Sequence, residues 1–165
     1  MEMSSTILLV VTIAAMLGCG LVAGVFFAFS TFVMKSLAEL PAKSGIIAMQ
    51  SINVRVVTSW FMVVLLGTAV LCIVLLIQSV TNWGSGAMRY SAIGSALYLV
   101  GSILVTGAFN VPRNNRLANV SPADPNAEER WAGYVSGWTA WNHVRTLASL
   151  AAAVSFSVSL VIGIR

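Results

Sequence analysis

The chain has 165 residues, of which 58% are hydrophobic and 8% charged, with a mean hydropathy of +0.91 and a formal net charge of +4. An ordinary soluble domain carries about 25% charged residues, so a soluble enzyme domain is excluded, and the short polar segments leave no room for a separate nucleotide-binding or nuclease domain. The nine Lys and Arg residues are spread over several segments and form no basic stripe, which argues against nucleic acid as a partner.

No charge lies between Met3 and Met34, Val56 and Met88, Tyr90 and Pro112, or Thr146 and Ile164, windows of 32, 33, 23 and 19 residues. About 20 apolar residues cross a ~30 Å hydrocarbon core as a helix. The chain therefore reads as one all-α domain over residues 1–165, an integral membrane four-helix bundle with spans at roughly 6–34, 57–80, 90–110 and 142–164. Membrane lipids are its first expected partner. The first apolar run exceeds a signal-peptide core and follows Glu2 instead of a basic start, so it is expected to remain as helix one.

That first span carries Gly18, Gly20 and Gly24, the last two as a G-x-x-x-G pair. Small residues four apart let helix backbones approach closely in lipid. The third span repeats small residues at Gly94, Gly101 and Ala108, and the fourth at Ala148, Ala152, Ser155, Ser159 and Gly163. A tight bundle interior is the expectation, and the same faces would serve a homo-oligomer. Cys19 and Cys72 fall inside apolar runs without a C-x-x-C partner and read as packed, unreactive thiols.

After the first span, "KSLAELPAKSGIIAMQSINVRVV" is interrupted by Pro41 and regains apolar residues at Ile46, Ile47, Met49, Ile52 and Val54, which predicts a short helix at the interface. Gln50 and Asn53, three apart, share one of its faces. Between spans two and three, "WGSGAM" lacks a preceding strand and a following Lys-Ser or Lys-Thr, so it is a helix-helix turn and no phosphate loop.

The third span ends "GAFNVPRNNRL". Pro112 cannot donate to the carbonyl of Ala108, so a kink or stop is expected there, with Asn110 placed to satisfy freed backbone groups. Asp124, Pro125, Glu128 and Glu129 then mark the start of a short amphipathic helix in the connection between helices three and four. Along it Trp131, Tyr134, Trp138 and Trp141 follow a three-four-three spacing, with Arg145 next on the stripe. A headgroup belt and the wall of a site both fit these aromatics. "AFSTFVMKSL" from Ala28 and "AFNVPRNNRL" from Ala108 form a faint internal repeat.

One histidine, two isolated cysteines and no carboxylate within the apolar runs leave no set of residues for a zinc, di-iron or copper site. Proton pumping through buried acids is equally unsupported, because all five acids lie in termini or connections. What survives is a neutral hydrogen-bonding cluster with one base and one fixed cation: Asn110, Asn114 and Asn115 after span three, and Trp138, Asn142, His143 and Arg145 entering span four. On a regular helix His143 points about 100° from Asn142.

At this cluster the chain resembles the anthrone oxygenase-like membrane family, through "FFAFSTFVMKSL" closing helix one, "AMQSIN" before helix two, "FNVPRNNRL" after helix three and "WTAWNHVR" opening helix four. The resemblance implies oxidation of anthrones to anthraquinones by O2 without a cofactor. The partners it implies are a planar aromatic small molecule and O2. It implies catalytic roles for His143, Arg145, Asn142 and Asn110, with Trp138, Trp141, Asn114, Asn53 and Gln50 binding the substrate, and no metal. A neutral imidazole would remove the acidic methylene proton while Arg145 or an Asn stabilises the oxyanion. Two other readings stay open: a non-catalytic membrane protein acting as accessory subunit, lipid-binding scaffold or small-solute carrier, and a haem protein with His143 as sole axial ligand.

The two longer connections carry seven basic residues, Lys35, Lys43, Arg55, Arg113, Arg116, Arg130 and Arg145, against two, Arg89 and Arg165, on the opposite side. The positive-inside bias makes the longer connections cytoplasmic and puts both termini outside. Cysteines introduced at Ser4 and Asn119 are expected to react with an impermeant thiol reagent from opposite sides of sealed vesicles. Labelling of both from one side would contradict the topology.

Overall fold

In chain order the helices are α1 (Ser5–Ala38), α2 (Ala42–Val57), α3 (Trp60–Thr81), α4 (Gly86–Ala118) and α5 (Ala127–Gly163). They are seen in a computed structural model, which describes residues 5–163. All but α2 are long and apolar enough to cross a membrane. Leu21, Leu66, Leu147 and Val154 are each more than half exposed on the outside of the bundle. Lipid is the solvent that accepts such a surface.

With 22 residues, α3 matches the membrane, whereas α1, α4 and α5 have 34, 33 and 37, or about 50 Å at ~1.5 Å per residue. Their excess lies at one end, where α1 and α4 finish and α5 begins. There α2 packs on α5 and α4 and completes a head above the spans. The two parts have separate cores. Cys19, Val22, Leu65, Cys72, Tyr98, Ala152 and Phe156 fill the spans, while Met34, Ile46, Met49, Leu117, Trp131, Tyr134 and Trp138 fill the head.

The helix expected near Pro125 begins at Ala127 and runs without a break into the fourth span. Asp124 sits ahead of it, its Oδ1 accepting from the N–H of Asn126 at 2.8 Å and its carbonyl from that of Ala127 at 2.9 Å. Nothing between Pro125 and the span stops a helix, and burial of Trp131, Tyr134 and Trp138 holds its first turns to the head. The separate short helix is instead α2, closed off by Pro41 before it and by the Thr58-Ser59 break after it.

Nor does Pro112 end the third span. The backbone forms a π turn over Thr106–Asn110, with the N–H of Val111 bonded to the carbonyl of Thr106. Pro112 thus falls in the first turn of the helical stretch that follows, where a missing N–H costs nothing. A matching π turn covers Phe29–Val33 of α1, and a third π stretch, Leu99–Leu104, lies deeper in α4. The faint repeat places the first two: Phe29 and Ser30 occupy the same positions in one copy as Phe109 and Asn110 in the other.

Small residues do close the bundle interior, although not at every expected position. A Cβ on Gly18 would run into Thr68, and one on Gly101 into Ala148. Ser155 and Ser159 of α5 donate to the carbonyls of Tyr90 and Ala87 of α4, each at 2.7 Å. Gly20 and Gly24, the G-x-x-x-G pair, point outward and would meet nothing within 4 Å. Replacing Gly101 by Val is therefore expected to cost roughly 1 to 3 kcal/mol through overpacking, whereas Gly24→Ala leaves stability unchanged or slightly raised. Thermal melting in detergent checks this, and an equal loss in both variants would contradict the packing.

Candidate functional site

Asn142 and Arg145 lie three residues apart on α5, at the seam between the two cores, 0% and 5% exposed. The Asn142 Nδ2 donates to the Phe26 carbonyl and to the Ser30 hydroxyl, both at 2.6 Å. Its Oδ1 accepts from Nη2 of Arg145, also at 2.6 Å. Both ends of the amide are used, which fixes its orientation and aims the oxygen at the guanidinium. Nη1 of Arg145 donates to the Thr106 hydroxyl at 3.2 Å. The rings of Phe26 and Trp138 lie 4.2 and 5.0 Å from the guanidinium carbon. Such cation-π contacts are worth ~2 kcal/mol when desolvated.

No carboxylate pairs with Arg145 among the described residues, where the ion pair present joins Arg130 to Asp124. A buried cation held by neutral groups alone is costly, and an anion beside it would relieve the cost. Space for one adjoins it. All five helices contribute to a pocket of about 450 Å³, whose walls include Phe26 and Phe29 of α1, Asn53 of α2, Phe61 of α3, Asn110 of α4, and Trp138 and Arg145 of α5. That volume lies in the ordinary range for a small-molecule site.

Four lining residues carry buried polar atoms without a hydrogen-bond partner: Nε of Arg145, Nε1 of Trp138, Nδ2 of Asn53 and Oδ1 of Asn110. Three are donors and one an acceptor. The remaining end of the Asn110 amide is spent, its Nδ2 donating to the carbonyl of Trp138 at 3.2 Å. Val54, Val57 and Val111 line the same pocket and are exposed, so its open side faces the apolar surroundings between α2 and α4.

The structure thus brings Arg145, Asn110, Trp138, Asn114, Asn53 and Gln50 to one pocket, with Asn142 behind Arg145. Gln50 acts as a clasp: its Nε2 donates to the carbonyls of Leu117 and Val120 at 2.8 and 3.0 Å. Asn114 accepts from the Tyr134 hydroxyl at 3.0 Å. His143 and Trp141 are not brought there. His143 is exposed on the outside of α5, as the ~100° turn from Asn142 requires. Trp141 stacks on Phe109, ring centroids 3.6 Å apart and planes at 5°.

Sequence reasoning missed Phe26, Ser30 and Thr106, which look like ordinary members of apolar runs. The repeat held a signal for Ser30, since it matches Asn110. Each copy's Phe meets a Trp of α5, Phe29 with Trp138 at 5.8 Å and Phe109 with Trp141, and each copy's third residue bonds to α5.

A family model described as anthrone oxygenase matches residues 59–155. That is more than half of the chain and takes in Thr106, Asn110, Trp138, Asn142 and Arg145. The chain belongs to the anthrone oxygenase family. No curated protein and no solved structure matches it. The family match begins at the start of α3, so Phe26, Phe29, Gln50 and Asn53 are walls supplied from outside the matched range.

Asn142→Leu keeps most of the side-chain volume but leaves Nη2 of Arg145 without its acceptor. The expected loss is about 1 to 3 kcal/mol, the worth of orphaning a buried donor, and more if the charge is felt in full. His143→Leu, on the outside, is expected to change stability by less than ~0.5 kcal/mol. Chemical or thermal unfolding of the two variants checks the contrast.

Proposed function

We propose that the chain is a membrane oxygenase that converts an anthrone-type phenolic substrate to the quinone with O2, needs no cofactor, and uses Arg145 to stabilise the substrate anion. The observation that carries the reading is the buried Arg145, without a carboxylate partner among the described residues, facing a pocket with unpartnered donors. Membership of the anthrone oxygenase family supports it.

The methylene between the two rings of an anthrone is acidic because its anion is an aromatic enolate. Placed in the pocket, the enolate oxygen accepts from Arg145 Nε and Trp138 Nε1, while a ring hydroxyl donates to Asn110 Oδ1. Charge-assisted donors in a water-poor site favour the anion strongly. The anion gives one electron to O2, the resulting radicals join at the methylene carbon, and the hydroperoxide loses water to leave a carbonyl. One oxygen atom enters the product and the other leaves as water, with two hydrogens taken from the carbon. The aromatic walls, Phe26, Phe29, Phe61 and Trp138, suit a flat ring system.

Among the described residues the lining holds no His, Asp, Glu, Lys or Cys. In this reading the proton passes to water, and Arg145 acts by making the anion cheap to form. His143 as base would have to act from the outer face of α5. The basic count favours the cytoplasmic leaflet for the head and its pocket.

The missing base favours a second reading, a non-catalytic protein that holds or carries a planar amphiphile in the same pocket. Oxygen uptake with an anthrone, corrected for autoxidation in empty vesicles, separates the two. Wild type is expected to accelerate uptake, Arg145→Lys to lose at least tenfold because a point charge cannot replace the planar donor fork, and His143→Ala to stay within about twofold of wild type. No acceleration by wild type would hand the pocket to the second reading.

A further inference from the structure

Three of the arginines that the pocket does not use gather at a second place. Arg113, Arg116 and Arg130 line a groove of about 530 Å³ between the end of α4 and the start of α5, and no acidic residue lines it among the described residues. Gly133 and Gly137 form its floor, four apart on α5. Arg113 is held in place there. Its Nη1 donates to the Phe109 carbonyl at 2.8 Å, and its side chain crosses Gly137, where a Cβ would come within 2.9 Å of Nε. Arg130 is tethered through Nε to Asp124 at 3.4 Å, which leaves its terminal nitrogens out of that contact. Three guanidinium groups around one groove repel one another unless an anion stands among them.

What lies beside the groove says which anion. Next toward the spans from Arg113 comes the Phe109–Trp141 stack, and beyond it the exposed Leu104 of α4 and Val144 of α5. Cations, then aromatic rings, then aliphatic side chains is the order that headgroup, glycerol region and acyl chain of a lipid would meet. A free phosphate would use the arginines and nothing below them.

We propose that the Arg113–Arg116–Arg130 groove binds the phosphate of an anionic phospholipid, whose chains run down over Phe109 and Trp141. Arginine forks grip phosphate oxygens in pairs, and the glycine floor leaves room for the headgroup. The proposal is independent of the oxygenase reading.

The test uses the full chain in a zwitterionic detergent, with phosphatidylglycerol, phosphatidylcholine and inorganic phosphate as separate probes, read by native mass spectrometry and thermal melting. Phosphatidylglycerol is expected to stay bound and raise the melting temperature, and phosphatidylcholine to do neither. Combined Arg113→Gln and Arg116→Gln should weaken phosphatidylglycerol binding at least tenfold. Gly133→Leu should do the same by filling the groove, and it leaves the fold intact because a Cβ there meets nothing within 4 Å. Equal binding of the two lipids, or undiminished binding by either variant, would overturn the site. Millimolar inorganic phosphate that displaces the lipid and gives the same melting shift would overturn the lipid assignment in favour of a free anion.

Discussion

A guanidinium buried at the junction of a membrane bundle and its head, with no carboxylate to pair with among the described residues, is the constraint on which the rest of this structure turns. Removing such a charge from water costs several kcal/mol after relaxation. Part of that is offset by Asn142 and Thr106, which accept from the two terminal nitrogens, and by the rings of Phe26 and Trp138. Nε is left without a partner. The fold therefore holds a positive charge in a fixed orientation at the edge of an apolar pocket, an arrangement that lowers the free energy of whichever anion forms there.

The scaffold explains how that charge is kept in place. Asn142 is tied to the Phe26 carbonyl and Ser30 of α1, so the acceptor for Arg145 cannot turn away without breaking bonds to another helix. The π turns at Phe29–Val33 and Thr106–Asn110 carry Ser30, Thr106 and Asn110, three of the polar groups that meet α5. An extra residue per turn shifts the side chains that follow it around the helix, which suits a helix that must pack by small residues below and present polar groups above. In α4 the same turn accommodates Pro112 without ending the helix. The short α2 closes the pocket from the head side through Gln50, and leaves Val54 and Val57 at the open margin.

Much of this was legible in the sequence, for physical reasons that differ by residue. Charge-free windows gave the spans because the bilayer penalises charge so heavily, and the helical spacing of Trp131, Tyr134 and Trp138 gave the buried stripe, which continues to Asn142 and Arg145 and leaves Trp141 to one side. Arg145, Asn110 and Trp138 stood out as polar or amphipathic residues at the ends of apolar runs. The ends of the helices were harder to read. α1 and α4 run about one and two turns past their expected ends, and the helix expected ahead of the fourth span is continuous with it, since polar residues such as Arg116 or Glu128 are unremarkable on a helix outside the hydrocarbon. The G-x-x-x-G pair misled because the motif reports small size and not direction, and Gly18, two residues ahead of the pair on the same helix, is the one that packs on Thr68. His143 looked like the base by its chemistry, while its angular distance from Asn142 pointed outward. The backbone carbonyl of Phe26 and the hydroxyl of Thr106 could not be found by residue type, since hydroxyls and carbonyls are common in every membrane helix.

The proposed chemistry requires that Arg145 lower the free energy of an anion in the pocket. Spectrophotometric titration of a bound hydroxyanthraquinone, whose colour changes when a phenol ionises, measures this without depending on turnover. The phenol should ionise at least one pH unit lower when bound to wild type than in empty detergent micelles, and Arg145→Met should remove that shift while the dye stays bound. A phenol that ionises at the same pH in wild type and Arg145→Met, or at a higher pH in wild type than in micelles, would contradict it.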